Sequence, residues 1–225
     1  MSETGAGSAP PHDCPRCPRL VEFRNKLRVD CPDWFNGPVP SFGPAGARLL
    51  IVGLAPGLKG ANRTGRPFTG DHAGDLLYTT LAKFGLAEGG YDRRADDGLK
   101  LEHSRITNAV RCVPPENKPL PSEIAACLPY FRHELTSLPA LTAILALGQI
   151  AHRQVLQAFG LRQTAYPFGH GALHALPSGL ALADSYHCSR YNTNTGRLTT
   201  AMFEAVFARL MPLLAGRDDP AARIG

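Results

Sequence analysis

No run of about eighteen apolar residues occurs in the 225-residue sequence, so no segment reads as a membrane-spanning helix. The opening stretch MSETGAGSAPPHDCPRC lacks the basic-then-apolar order of a secretory leader, and the expected compartment is the cytoplasm. Internal repeats and low-complexity tracts are absent, as are a Walker phosphate loop, a G-x-G-x-x-G fingerprint and an acidic metal cluster. These absences argue against a membrane protein, a solenoid and a phosphotransferase. The charge imbalance is small, 24 basic against 19 acidic residues, for a net +5 and a pI near 9.0. It favours a polyanionic partner without naming one.

What is present suits one globular domain. The hydrophobic content is 44%, and the length is enough to bury a real core. Residues 1–13 and 215–225 are small and polar and read as loose ends around a single domain at 14–214. The strongest strand is RLLIVGL from Arg48, a continuous apolar run of the kind buried on both faces. Weaker strands begin at Arg105, Leu141 and Leu180. Between them lie helical patterns: Leu77, Leu81 and Phe84; SEIAACLPYFRHEL behind a serine cap; Ile150, Val155 and Phe159; and Leu198, Met202, Val206, Leu210 and Leu213. Alternating strands and helices predict an α/β protein, and in such folds ligands gather beyond the carboxyl ends of the strands. The segment GGYDRRADDGLKLEHSR breaks the alternation and reads as an excursion with a short hairpin.

Three constellations carry chemistry. Cys14 and Cys17 form a C-x-x-C, and Cys112 and Cys127 flank a proline-rich loop. Four thiolates from two distant segments can close one site, and spacing alone leaves zinc and an iron–sulfur cluster both open. Cys31 reads as a small buried hydrophobe. Next, GLAPGLKGANRTGRPFTGDHAG follows the first strand, with glycines, beginning at Gly53, that let backbone approach a ligand and with Lys59, Arg63 and Arg66 as charge for phosphate. In this loop Phe68 is either a flat surface for a base or a core anchor, and Asp71 either activates water or caps the following helix. Third, Asn108 ends the second strand, where an amide can read a base edge or satisfy backbone.

In order along the chain, CPRC, VPSFG, GLAPGLKGANRTGRPFTGD, RADDGLKL, ITNAVRCVPPENKPLPSEIAAC and HCSRYNTNTGRLT resemble the type B (family 5) uracil-DNA glycosylases, over about residues 14 to 214. The resemblance implies a three-layer α/β/α domain around a mainly parallel four-stranded sheet. It also implies a [4Fe–4S] cluster on Cys14, Cys17, Cys112 and Cys127, and hydrolysis of the N-glycosidic bond of uracil and other deaminated bases in single- or double-stranded DNA. By motif position, Gly53, Phe68, Asn108 and His187 would face the base. Asp71 would help activate water, with Asp75 one helical turn on as its rival, and His187 would donate to a base carbonyl. Ser189, Arg190, Tyr191, Asn192 and Arg197 would form the DNA-facing loop, with Arg190 or Tyr191 as the wedge. A partly solvated Asp71 with an unperturbed carboxyl is expected, together with Thr195 as cap of the last helix.

There are departures. Leu54 stands where other superfamily branches place a polar or acidic residue, an apolar choice typical of type B. Cys188 and Arg190 replace the proline of many relatives, and Cys188 beside His187 is a weak candidate nucleophile with no orienting acid. A monomer is the expected working unit. The competing class is a metal-stapled module that grips nucleic acid or senses redox state without catalysis.

Overall fold

The computed structural model describes residues 9–215; the rest of the two expected loose ends, 1–8 and 216–225, lies outside the described residues. Within 9–13, Asp13 accepts from Arg28 at 2.6 Å and His12 meets Phe35 edge-on, with ring centroids 5.5 Å apart.

The elements run α1 (Pro18–Asp30), β1 (Leu49–Gly53), α2 (Ala61–Thr64), α3 (His72–Lys83), β2 (Ala87–Glu88), β3 (Lys100–Leu101), β4 (Ser104–Asn108), α4 (Pro121–Thr136), β5 (Ala143–Leu147), α5 (Gln149–Ala158), β6 (Leu173–Ala175), β7 (Ala181–Ser185), α6 (Arg190–Asn194) and α7 (Thr200–Leu214). The main sheet has the order β4-β1-β5-β7-β6, with β6 antiparallel to β7 and every other pair parallel. Five strands therefore replace the expected four. The extra one, β6, is a short edge whose Leu173 and Ala175 are exposed, so it leaves no apolar run in the sequence and is held by its ladder to β7.

Alternation along each strand builds the two faces. Leu49, Ile51 and Leu145 pack with Leu77, Leu81, Phe203 and Phe207 of α3 and α7, while Leu50, Val52 and Ile144 pack with Leu128, Phe131 and Val155 of α4 and α5. These side chains are essentially fully buried, each contributing about 1.5–3 kcal/mol in transfer from water. The buried helical faces differ in detail from the spacing. Ile150 and Leu213 are exposed; α5 buries Ala151, Val155 and Leu156, and α7 adds Phe203, Phe207 and Leu214 to Val206 and Leu210.

Two caps also differ. Helix α4 starts at Pro121 behind Leu120, whose N–H donates to the Glu123 carboxylate at 2.7 Å, so Ser122 lies inside the first turn. Thr195 closes α6, and Thr199 caps α7 by accepting from the Met202 N–H at 3.2 Å. The left-handed Gly196 breaks the chain between the two helices. The expected hairpin reduces to the antiparallel pair β2–β3, with the excursion 89–99 between its strands.

Candidate active site

The parallel register sets Gly53 beside Asn108 at the carboxyl ends of β1 and β4, while β7 ends two residues before His187. These ends open onto a cleft of about 680 Å³ whose lining includes Phe68, Asp71, Asn108, His187, Ser189 and Arg190. Asn108 is buried, and its Oδ1 accepts no hydrogen bond among the described residues. An orphaned acceptor buried at the wall of a cleft suits a ligand carrying an N–H donor. The strand end itself is held from behind, because Thr107 donates to the buried Glu134 carboxylate of α4 at 2.7 Å, alongside Arg105 and Arg111.

Phe68 is both of the things its position allowed, a buried anchor and a face of the cleft. Its backbone is left-handed, with φ of 52°, a conformation that costs a non-glycine residue about 1–3 kcal/mol and persists only where neighbours impose it. Those neighbours are identifiable. A Cβ at Gly53 would come within 2.7 Å of the Phe68 ring, and a Cβ at Gly74 would collide with the Phe68 carbonyl oxygen. The Tyr91 hydroxyl donates to that carbonyl at 3.2 Å and accepts from the Gly70 N–H at 3.4 Å. Tyr91 stands in the excursion, which is clamped by the buried pair Arg66–Asp97, bidentate at 2.8 and 2.7 Å. The Arg66 guanidinium holds the Asp97 carboxyl well below the usual carboxylate range and also lies over the rings of Phe42, Tyr78 and Tyr91. Arg66 is thus committed inside the protein and is not the phosphate contact its loop suggested. Asp97 belongs to the RADDGLKL motif, but nothing in that motif marked it as the partner of Arg66, and Tyr91 carried no signal beyond its place in the excursion.

Asp71 and Asp75 have separate fates. Asp71 lines the cleft and caps α3, accepting from the Gly74 N–H at 3.2 Å. Gly60 packs against its carboxylate so closely that a Cβ would lie 2.9 Å from Cγ. Burial pushes its pKa above the ordinary value, outweighing the N–H groups that lower it, so the expected unperturbed carboxyl is not found. Asp75 is absent from the cleft lining and carries a two-point ion pair with Arg93, at 2.8 and 2.6 Å. His187 is nearly parallel to Phe68, with centroids 5.7 Å and planes 27° apart, and burial lowers its pKa to about 4. Its imidazole is therefore neutral at pH 7.

Of the remaining loop residues, Ser189 caps α6, Arg190 reaches the cleft, and Tyr191 is 71% exposed at the tip. Asn192 turns inward, donating from Nδ2 to the His187 carbonyl at 2.8 Å, and so fixes the histidine from behind. Asn192 and Arg197 border a second cleft of about 380 Å³, and Arg197 lies 4.6 Å from the Tyr186 ring centroid. Cys188 is fully buried in the core with its thiol pKa pushed up by burial, which removes it as a nucleophile. Asn117, passed over in the sequence, also lines the main cleft.

Comparison with known proteins bears on this geometry. Residues 40–211 match the sequence model of the uracil DNA glycosylase superfamily. The type-5 uracil-DNA glycosylase of Thermus thermophilus is 49% identical over 196 residues, covering 84% of this chain and 89% of that protein. Those of Mycobacterium bovis (43% identical; 86% and 75% covered) and Pyrobaculum aerophilum (39%; 88% and 87%) agree. The chain belongs to the uracil-DNA glycosylase superfamily, in its type-5 branch.

In this superfamily member the four cysteines of the two paired segments meet behind the site. Cys14, Cys17, Cys112 and Cys127 line one small cavity with Leu20, Val110 and Tyr130, and all are free thiols. No three of the sulfurs lie within 4.8 Å of one another, whereas a tetrahedral zinc site sets its sulfurs about 3.8 Å apart, from Zn–S bonds of about 2.3 Å. The buried Arg24 reaches the Cys14 carbonyl at 3.2 Å and the Cys112 sulfur at 3.9 Å, placing a cation beside the thiols. Cys31 is partly exposed at the end of α1, so it is not the buried hydrophobe expected. A second cluster, His152, His174 and Asp184, brings potential ligand atoms within 4.8 Å. However, His152 faces acceptors at both nitrogens, Asp184 Oδ1 at 2.7 Å and the Tyr166 carbonyl at 2.8 Å. Burial opposes its charge and the Asp184 carboxylate outweighs that, raising its pKa, so the cluster reads as an internal ion pair.

The Asp71 environment gives a testable sign. A carboxyl whose pKa is raised by folding contributes stability only while protonated, and that contribution is lost as pH rises through the folded value. Asp71→Asn keeps a capping oxygen and carries no charge. Thermal melts from pH 4 to 8 are expected to show the variant melting above wild type at neutral pH, with the gap closing toward acid. A gap that does not change with pH would contradict burial of the charge.

Proposed function

We propose that this protein is a monofunctional uracil-DNA glycosylase of base-excision repair, hydrolysing the N-glycosidic bond of uracil and of other deaminated bases after flipping them from DNA. The observation that carries the reading is the orphaned, buried Asn108 Oδ1 at the wall of the cleft, next to the Phe68 ring that lies nearly parallel to His187. It can accept from the ring N–H of uracil. A volume of about 680 Å³ supports purine products of deamination as well. We place its work, as a monomer, on DNA in the cytoplasm.

The chemistry follows from what each group can do. A stacked base is inaccessible, so the nucleotide is extruded, and Arg190 or Tyr191 on α6 fills the gap it leaves. As the bond between C1′ and the base nitrogen breaks, its electron pair stays with the base and positive charge develops on the sugar. The neutral His187 donates an N–H to a base oxygen, stabilising the departing anion in a desolvated site. Asp71, ionised, stabilises the sugar cation and orients the water whose oxygen bonds to C1′; the proton that the water loses passes to the Asp71 carboxylate, and the base anion is neutralised by a proton from solvent as it leaves. Leu54 beside it can do neither.

Cys14, Cys17, Cys112 and Cys127 would hold a [4Fe–4S] cluster; the spread of their sulfurs suits a polynuclear group better than one ion, and the adjacent Arg24 would offset the net negative charge of the thiolate-bound group. Bound there, it supplies a covalent staple between the segment before α1 and the β4–α4 region. The expected product of anaerobic purification is a brown protein with four irons per chain. A Cys112→Ser variant should lose iron and visible absorbance together. A colourless protein holding one zinc, with full activity, would refute the cluster.

A duplex oligonucleotide carrying one uracil tests the activity, since excision leaves an alkali-labile abasic site. Under single-turnover conditions His187→Ala should lose about two orders of magnitude, as expected for one preorganised donor, while binding to abasic product changes less. Asp71→Asn should bind uracil-containing DNA and lose most of its rate, with Asp75→Asn close to wild type. A reversed order of the two aspartates would reassign the water.

A further inference from the structure

We propose that the hydrogen bond between His72 and Thr193 is a latch holding α6 against the Asp71 wall of the cleft, and that extrusion of a base from duplex DNA depends on it. The proposal rests on the reading of α6 as the inserting element. Its basis is how little else secures that element. Helix α6 has five residues, a length at which backbone bonds alone do not sustain a helix. Its other hydrogen bonds stay within its own loop: Ser189 caps it, Asn192 reaches the His187 carbonyl, and the Leu198 N–H reaches the Asn192 carbonyl. Among the described residues, one hydrogen bond crosses from α6 to a different element. It joins Thr193 Oγ1 to His72 Nε2 at 2.9 Å.

The partners are suited to the task. A hydroxyl has one proton and two lone pairs. Thr193 can therefore donate to the Arg190 carbonyl, 3.1 Å away, and accept from the His72 Nε2–H at the same time. One side chain then fixes the turn and its mooring together. His72 is the first residue of α3, directly after Asp71, and α3 is anchored in the core by Leu77 and Leu81. The bond thus spans the cleft rim from a rigid helix to a movable turn, with His72 on one side and Ser189 and Arg190 on the other. Insertion into a stacked duplex loads α6 from its outer face. A base already unstacked in a single strand does not. His72 and Thr193 are positioning residues in this account, acting through the placement of Arg190 and Tyr191.

The readout is the ratio of single-turnover excision rates on duplex and single-stranded uracil DNA, for Thr193→Val, His72→Ala, the double variant and Tyr191→Ala. Each latch variant should lower the ratio about fivefold to tenfold, the factor supplied by one net hydrogen bond. Because Thr193 also bonds the Arg190 carbonyl, the double variant should fall no further than Thr193→Val alone. Tyr191→Ala should lower the ratio independently. If Tyr191→Ala lowers the ratio and the latch variants do not, the latch is refuted and the insertion reading stands. Additive losses in the double variant refute it too, because the two side chains would then act separately. A shared, non-additive loss with Tyr191→Ala unchanged keeps the latch and moves insertion to Arg190.

Discussion

The left-handed backbone of Phe68 is the constraint on which the site depends. An aromatic residue does not adopt that conformation freely, and here it is imposed from three sides: by the bare backbone of Gly53 and Gly74, by the Tyr91 hydroxyl, and by the Arg66–Asp97 clamp behind Tyr91. The turn puts the Phe68 ring at the ends of β1 and β4, next to Asn108 and parallel to His187. The same turn delivers Asp71 to the cap of α3 three residues later. A relaxed Phe68 would move the aromatic face of the cleft and the Asp71 carboxylate together. The excursion between β2 and β3, which interrupts the regular alternation, is therefore the outer support of the cleft.

Electrostatics then separates groups that sequence leaves equivalent. Asp71 and Asp75 are four residues apart on one helix, yet Arg93 engages Asp75 at the surface while Asp71 is enclosed by the glycine loop. A buried carboxylate without a cationic partner is costly to ionise, which makes it responsive to a cation forming nearby. Desolvation favours the neutral form of His187 as well, where it lowers the pKa instead of raising it. In the proposed reaction a neutral donor and an ionised carboxylate would match the two charges that develop when a glycosidic bond breaks, negative on the base and positive on the sugar.

Much of the architecture was legible in the sequence because buried parallel strands leave continuous apolar runs, as in Leu49–Gly53 and Ala143–Leu147. Strand β6 was not, since an exposed edge of three residues needs only main-chain pairing. The residues facing the cleft could be nominated because Phe68, Asp71, Asn108 and His187 all follow or end strands. Their environments could not, because burial of Asp71 and commitment of Arg66 depend on Gly60 and Asp97, distant contacts with no local pattern. Tyr91 and His72 escaped for a related reason. Each acts on a segment remote in sequence, Tyr91 on the Phe68 carbonyl and His72 on Thr193.

The molecule is built with unequal stiffness. Asn108 is fixed through Thr107 to Glu134, whose carboxylate gathers Arg105 and Arg111 inside the protein, and Phe68 is fixed by its strained turn. The opposite rim has no such depth: α6 is one turn long and carries Tyr191 into solvent. Reading a base requires groups that do not move, because an acceptor displaced by an ångström no longer meets its donor. Entering a duplex requires a segment that yields and then seats. Asn192 joins the two regimes, since its amide binds the His187 carbonyl from within α6. If His187 donates to the leaving base and α6 enters the DNA, as proposed, this bond ties the donor to the inserting segment, so seating of α6 and positioning of His187 would be mechanically one event.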